Sequence, residues 1–216
     1  MTGPDRRDAS LAWPWMSLAC TAAAAVIFQN SALSSAFEFS RDAIDRGQLW
    51  RLWTSSFVHF SGTHLLWNAV VVVVAGSWAE RRRPGLVRTY YLIAPAVITC
   101  ALLVTAPHLE RFRGLSGLAA GLVATVALLT FSDGKRWQST AIALLLGTKI
   151  IAEALSARPI LADIDINIIS LPGAHLAGIA CASIWYITNT YLYNPPQVKI
   201  LGASRALDES GCSRGR

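Results

Sequence analysis

Long apolar segments with few charges constrain the fold of this chain more than any other feature. Six of them are long and apolar enough to cross a bilayer core of about 30 Å, which takes about 20 helical residues. They lie at residues 11–33, 63–79, 87–106, 114–132, 138–156 and 173–193. Only 15% of the 216 residues are charged, whereas a soluble domain carries roughly a quarter. We therefore predict an all-α membrane protein in which residues 11–193 form one domain of six transmembrane helices.

The basic residues indicate how these spans are oriented. Twelve Lys and Arg residues fall on one side of the predicted membrane and six on the other, while Lys149 lies within a span. Because cytoplasmic loops are enriched in Lys and Arg, we expect both termini in the cytoplasm. Topology then accounts for the net charge of +6, and no nucleic-acid partner is expected. Residues 1–10 would form a cytoplasmic N-terminus, and residues 194–216 a disordered cytoplasmic tail.

The segment between the first two spans, residues 34–62, is long for so compact a chain. It is rich in Phe, Trp and Leu and keeps only a few charges. This composition is typical of a loop that is partly embedded in the membrane and forms short amphipathic helices. We expect such a loop on the outer side.

Polar side chains inside the predicted spans are candidate functional residues, because lipid cannot solvate them. Ser116 lies near the start of the fourth span, His175 near the start of the sixth, and His64 and Asn68 near the start of the second. These three spans run in the same direction, so the polar residues share a depth just below the outer surface. His64 and Asn68 are four residues apart and lie on one helical face.

Small residues next to these positions favour close helix packing. Gly114, Gly117 and Gly121 surround the serine, and Gly178 follows the histidine of the sixth span. Glycine lets membrane helices approach each other where no hydrophobic force drives them together. A Ser–His hydrogen bond of about 2.6–3.2 Å requires such an approach. The alternative is that these glycines serve helix packing alone.

These residue types indicate hydrolytic chemistry. The Ser116 hydroxyl becomes a nucleophile when a neutral His175 removes its proton. The tetrahedral intermediate carries an oxyanion, for which the His64 ring, the Asn68 amide and the Ser116 backbone N–H are candidate donors. No Asp or Glu is placed to complete a triad, so we predict a Ser–His dyad that uses neither a cofactor nor a metal.

Four motifs, in order along the chain, resemble those of the rhomboid intramembrane serine proteases. They are the pair Trp50-Arg51, HxxxxHxxxN at residues 59–68, GxSGxxxG at residues 114–121 and AHxxG at residues 174–178. The resemblance implies a rhomboid-like bundle that cleaves transmembrane protein substrates within a lipid bilayer.

The resemblance also implies a role for each motif residue. Ser116 would be the nucleophile, His175 the general base, and His64 and Asn68 the oxyanion donors together with the Ser116 amide. His59 would tie the outer loop to the helix tops, and Glu80 with Arg81 and Arg82 would pack and anchor the end of the second span. The other structural residues near the site would be Trp50, Arg51, Gly114, Gly117, Gly121 and Gly178.

Two positions depart from the rhomboid pattern. An aromatic residue often follows the serine by four positions and stacks on the catalytic histidine, but Ala120 occupies that position here. Another group must then orient His175. Ala182 stands where a second glycine often follows Gly178.

Within the family, the chain most resembles the rhombosortases, a bacterial branch thought to trim proteins with a C-terminal Gly-Gly, transmembrane and basic tail. The shared features are a minimal six-span size and the residues Lys149 and Glu153 in the fifth span. At a spacing of four, these two charges can neutralise each other. The alternative is a structural ion pair near the outer interface. The resemblance implies a bacterial inner membrane and a substrate helix that enters beside the fifth span.

Two other classes of function are alternatives. A metal enzyme would draw its ligands from the four histidines, but the chain has no HExxH motif and no CxxC spacing. A non-enzyme would be a pseudoprotease that binds membrane helices, or a small transporter. Pseudoproteases of the family usually lack the serine or the histidine, and transporters show repeat symmetry, which this sequence does not.

Overall fold

The computed structural model describes residues 13–156 and 172–193, and these residues are mostly helical. The helices are α1 (Trp15–Gln29), α2 (Ser31–Phe37), α3 (Arg41–Asp45), α4 (Arg51–Thr54), α5 (Gly62–Val71), α6 (Ser77–Arg82), α7 (Pro84–Thr105), α8 (Ser116–Ser132), α9 (Arg136–Ser156) and α10 (Pro172–Ile187). A π-helical segment, Val72–Gly76, makes α5 and α6 continuous, and another, Thr188–Tyr193, extends α10. The predicted N-terminus (1–10) and tail (194–216) lie outside the described residues.

Within the described residues, three helices are long and apolar enough to cross a membrane: Gly62–Arg82, Pro84–Thr105 and Arg136–Ser156. A fourth is added if α1 and α2 together form one span. α8 is apolar but shorter, with 17 residues. The chain is thus an all-α membrane protein whose described residues contain three to four candidate spans, and the count of six stays a prediction.

The first predicted span, 11–33, is not one straight helix, which corrects the sequence prediction. α1 ends at Gln29, and α2 continues at an angle of 113° to it. Asn30 has an extended backbone, and its side chain accepts a 3.0 Å hydrogen bond from the N–H of Leu33. An asparagine that caps a new helix in this way ends the preceding one.

α8 lies at the centre of the bundle, and α5, α8 and α10 run parallel. Gly117 contacts Ala174, and one turn later Gly121 contacts Gly178. Helix α9 is antiparallel to α8, since Ser139 near its start donates to a carbonyl oxygen in the last turns of α8. α8 is apolar all round, as expected of a helix that is mostly buried in the bundle. We call the end of the bundle at which α5, α8 and α10 begin the Ser116 end.

Glycines bring α8 and α10 into backbone contact. A Cβ at Gly117 would lie 2.7 Å from the carbonyl oxygen of Ala174, and a Cβ at Gly178 would overlap the carbonyl oxygen of Gly117. The hydroxyl of Tyr90 fills the space beside Gly121 and donates to the carbonyl oxygen of Leu118 at 3.1 Å. This contact confirms the close helix packing that the glycine pattern predicted.

The segment 34–62 contains the short helices that its composition predicted. Arg51 is buried there, and its guanidinium donates to the carbonyl oxygens of Glu38 at 2.6 Å and Ser35 at 3.0 Å. The indole N–H of Trp50 donates to the carbonyl oxygen of Ala36 at 3.2 Å. The Trp-Arg pair therefore joins the start of α4 to the end of α2 and the residue that follows it.

A two-stranded antiparallel ribbon, which the all-α prediction missed, joins this segment to the chain before α8. Strand β1 (Phe39–Ser40) pairs with β2 (Arg111–Phe112). An ion pair of 2.6 Å between Arg113 and Glu38 supports the ribbon. Strands of two residues show no alternation that a sequence could reveal. The ribbon holds the chain that leads into α8.

Glu80 is fully buried at the opposite end of the bundle. Its carboxylate accepts hydrogen bonds from the N–H of Ser17 at 3.0 Å, from the hydroxyl of Ser17 at 2.8 Å and from Arg88 at 2.9 Å. The carboxylate thus caps the start of α1 and ties it to α6 and α7. The neighbouring Arg81 and Arg82, which the sequence pattern grouped with Glu80, are not its partners among these contacts.

Replacing Gly178 with Ala should destabilise the bundle, because the new methyl group would overlap the Gly117 carbonyl oxygen and separate α8 from α10. We expect a loss of roughly 2 kcal/mol, measured by thermal unfolding in detergent. Gly147→Ala is the control, since nothing lies within 4 Å of a Cβ at that helical position. It should unfold at the same temperature as the wild type or higher. Equal midpoints for the two variants would contradict the backbone contact.

Candidate active site

Ser116 is the first residue of α8 and is partly exposed. The first N–H groups of a helix have no intrahelical partner, and the positive end of the helix dipole lies there. The serine therefore combines an accessible hydroxyl with a backbone N–H that can bind an anion.

His175 lies in the first turn of α10 and is buried, with 4% of its surface exposed. Its neighbour Ala174 contacts Gly117, which is the neighbour of Ser116. The structure thus brings the predicted nucleophile and base to adjacent positions on touching helices. Among the described residues, no hydrogen bond joins the Ser116 hydroxyl to the His175 ring. Such bonds are often long in an enzyme without substrate.

The ring of His64 packs against Gly114, two residues before the serine. A Cβ at Gly114 would lie 2.9 Å from Cε1 of His64 and 3.2 Å from its Nε2. Gly114 also has a φ of +135°, which residues with a side chain rarely adopt. The buried Nδ1 of His64 has no hydrogen-bond partner in the described part of the chain. The ring therefore lies beside the turn into α8.

Asn68 is held by His59. The Asn68 amide nitrogen lies 3.3 Å from Nε2 of His59, whose Nδ1 lies 3.3 Å from the carbonyl oxygen of Phe57. Because the amide N–H donates and the carbonyl oxygen accepts, the neutral His59 ring carries its proton on Nδ1. Burial, and to a lesser extent the His64 ring, lower the pKa of His59 from 6.5 to about 3. One N–H of Asn68 remains for another acceptor.

A buried carboxylate from α9 lies beside His175. Oε2 of Glu153 is 3.3 Å from Nδ1 of His175, and its Oε1 accepts a 2.7 Å hydrogen bond from Nζ of Lys149. Glu153 is 2% exposed. The contact at Nδ1 has the length of an ion pair, but the two atoms do not form a hydrogen bond.

This contact corrects the expectation that no Asp or Glu would lie at the histidine. A carboxylate has two oxygens, and Glu153 directs one to Lys149 on its own helix and the other to α10. The spacing of four residues identified the ion pair with Lys149. It could not show which neighbouring helix that face of α9 contacts, because helical periodicity describes one helix at a time.

The remaining predicted residues lie in α8, in α10 and in the 34–62 segment. Ala120, which replaces an aromatic residue, is buried in α8, and Ala182 is buried in α10. No aromatic ring stacks on His175 among the described residues. Trp50 and Arg51 lie in the 34–62 segment, while Gly117, Gly121 and Gly178 form the contact between α8 and α10. In the same described regions, no three His, Cys, Asp or Glu side chains form a group that could hold a metal ion.

Apolar helices that enclose a polar cluster at one end define an integral membrane protein with a site near its surface. The family model of the Rhomboid domain matches residues 46–191, about two thirds of the chain. The chain therefore belongs to the rhomboid family of intramembrane serine proteases. The matched range contains every predicted site residue from Trp50 to Gly178. No curated protein matches the sequence.

Acidification should destabilise the protein through His59. Unfolded His59 takes up a proton near pH 6.5, whereas the folded ring does so only near its pKa of about 3. Its contribution to stability is therefore complete above about pH 6.5 and falls by about 1.4 kcal/mol per pH unit below that value. Thermal unfolding of wild type and His59→Gln between about pH 7 and pH 5 measures this. The variant should be less stable at neutral pH and lose less on acidification. Parallel pH profiles would contradict the assignment.

Gly114→Ala should destabilise the Ser116 end for two reasons, the positive φ and the overlap with the His64 ring. Gly134→Ala is the matched control, because Gly134 also has a positive φ but nothing within 4 Å of a Cβ. We expect Gly114→Ala to unfold at the lower temperature. Adding His64→Ala should recover part of the loss in a double-mutant cycle. Additive effects would show that the ring and Gly114 are not in contact.

Proposed function

We propose that this rhomboid-family protein is an intramembrane serine endopeptidase, with Ser116 as the nucleophile and His175 as the general base. The observation that carries the proposal is the backbone contact between Gly117, the residue after Ser116, and Ala174, the residue before His175. Membership of the rhomboid family supports it independently.

Hydrolysis proceeds in two steps. The Ser116 oxygen attacks the carbonyl carbon of the peptide bond while Nε2 of His175 takes the hydroxyl proton. When the C–N bond breaks, His175 gives this proton to the leaving amine, and an acyl ester remains on Ser116. A water molecule then attacks the ester, His175 takes a proton from that water, and the proton returns to the Ser116 oxygen as the ester bond breaks.

Three donors stabilise the oxyanion of each tetrahedral intermediate. They are the Ser116 N–H at the start of α8, the second amide N–H of Asn68 and the ring of His64. The contact of Asn68 with His59 and the unpartnered Nδ1 of His64 support these roles. Removing one such donor typically costs about 10²–10³-fold in rate.

The substrate is a single-pass membrane protein that reaches the site laterally, beside α9. In the described part of α9, only Ser139, Ile150 and Glu153 are buried, so most of the helix faces outward. A loosely packed helix is the side of a bundle that opens most readily. A substrate segment with small residues such as Gly unwinds readily at the site. Tails with a Gly-Gly sequence, as trimmed by rhombosortases, meet this requirement.

The topology that completes this proposal has six spans, namely α1, α5 with α6, α7, α8, α9 and α10. Both termini lie in the cytoplasm, and the Ser116 end faces the outer side of a bacterial inner membrane. The excess of basic residues on the opposite side supports this orientation.

A second function is a catalytically weak or inactive rhomboid-like protein that binds membrane helices. The observation that favours it is the absence, among described residues, of an aromatic ring stacked on His175. Binding of a substrate helix without cleavage would identify this function.

Co-expression with a Gly-Gly-tailed membrane substrate tests the proposal. Wild type should cleave it, and Ser116→Ala and His175→Ala should each lower cleavage by at least about 10³-fold. Ser132→Ala, at the other end of α8, is the matched control and should cleave like wild type.

The outcomes separate the parts of the proposal. Cleavage that survives Ser116→Ala would rule out the nucleophile. If wild type cuts single-pass substrates without the tail but not those with it, the rhombosortase-like specificity is wrong. Binding without cleavage favours the second function.

A further inference from the structure

We infer that Glu153 is a positioning residue for His175, so that catalysis uses Ser116, His175 and Glu153 rather than a dyad. The inference rests on the proposed protease function and concerns the same site. It adds a residue on α9 that the serine and histidine motifs do not contain.

The geometry at Nδ1 carries the inference. Oε2 of Glu153 lies 3.3 Å from Nδ1 of His175, and both side chains are buried, with 2% and 5% of the side chain exposed. The two residues come from different helices, α9 and α10, so their contact depends on the fold and not on sequence spacing. Burying a carboxylate costs free energy unless it is paired. The Glu153 carboxylate lies between Nζ of Lys149 and Nδ1 of His175.

A carboxylate at Nδ1 has a specific effect on the ring. In a neutral imidazole, one nitrogen carries the proton, and its partner decides which. Glu153 at Nδ1 favours the proton there, which leaves the lone pair of Nε2 for the Ser116 hydroxyl. When His175 accepts the serine proton, the buried carboxylate also stabilises the positive ring. Because Ala120 provides no ring to stack on His175, Glu153 supplies the orientation.

Lys149 forms an ion pair with Glu153 at this depth. Its Nζ lies 2.7 Å from Oε1 of Glu153, and its side chain is 37% exposed. The lysine therefore pairs with the carboxylate on its more exposed side, while the other oxygen faces His175. The competing explanation is that Glu153 serves only as the counter-ion of Lys149. Removing both charges together separates the two explanations.

The experiment uses the full-length protein in proteoliposomes, with cleavage of a membrane substrate and labelling of Ser116 by a fluorophosphonate. Glu153→Gln keeps the shape and removes the charge. We expect kcat and the labelling rate to fall by roughly 10²-fold with KM unchanged. The double variant Glu153→Gln/Lys149→Met should be as slow as Glu153→Gln. Glu110→Gln, an exposed glutamate before α8, should behave like wild type.

The outcomes test the role of Glu153 and the protease function separately. A double variant that regains the wild-type rate shows that Glu153 is only a counter-ion and overturns the inference, as does a wild-type rate in Glu153→Gln. Should Glu153→Gln unfold, the double variant carries the test, since it leaves no charge unpaired. Activity that Ser116→Ala abolishes supports the protease function whatever Glu153 does. If wild type neither cleaves nor labels, or if Ser116→Ala remains active, both proposals fail.

Discussion

The backbone contact between α8 and α10 is the constraint on which the rest of the structure depends. Lipid tails are as apolar as the helix surfaces, so the hydrophobic effect contributes little to holding membrane helices together. Close packing must replace it, and here Gly117 and Gly178 allow carbonyl oxygens to meet the opposite helix directly. The same contact determines the depth of Ser116 and His175, because each is next to a residue in it.

Buried polar groups are used differently at the two ends of the bundle. Glu80 accepts hydrogen bonds from Ser17 and Arg88, so its charge is compensated and its role is to join helices. At the Ser116 end, the Nδ1 of His64 has no partner among the described residues, and Ser116 is partly exposed. A polar group without a partner lowers stability, and within a membrane span it is a candidate for a functional role. This contrast is consistent with anchoring at one end and chemistry at the other.

The helices were largely predictable, because charged residues bound each apolar run. The predicted segments 63–79 and 138–156 correspond to the helices Gly62–Arg82 and Arg136–Ser156. The bend after Gln29 was missed, since one capping asparagine within an apolar stretch does not change its hydropathy. The ribbon of β1 and β2 was missed because its strands have two residues each. The glycine pattern predicted close packing correctly, but it could not name the partner atoms.

By itself, the sequence determined that this is a helical membrane protein, which residues are polar within its spans, and the order of the motifs that place it in the rhomboid family. Hydropathy and helical period suffice for this, because both are properties of one segment at a time. Only the tertiary structure decided that Asn68 is held by His59 and that Glu153 lies at His175. These contacts join side chains from different segments. Their distances follow from how the helices pack, and no spacing along the chain encodes that packing.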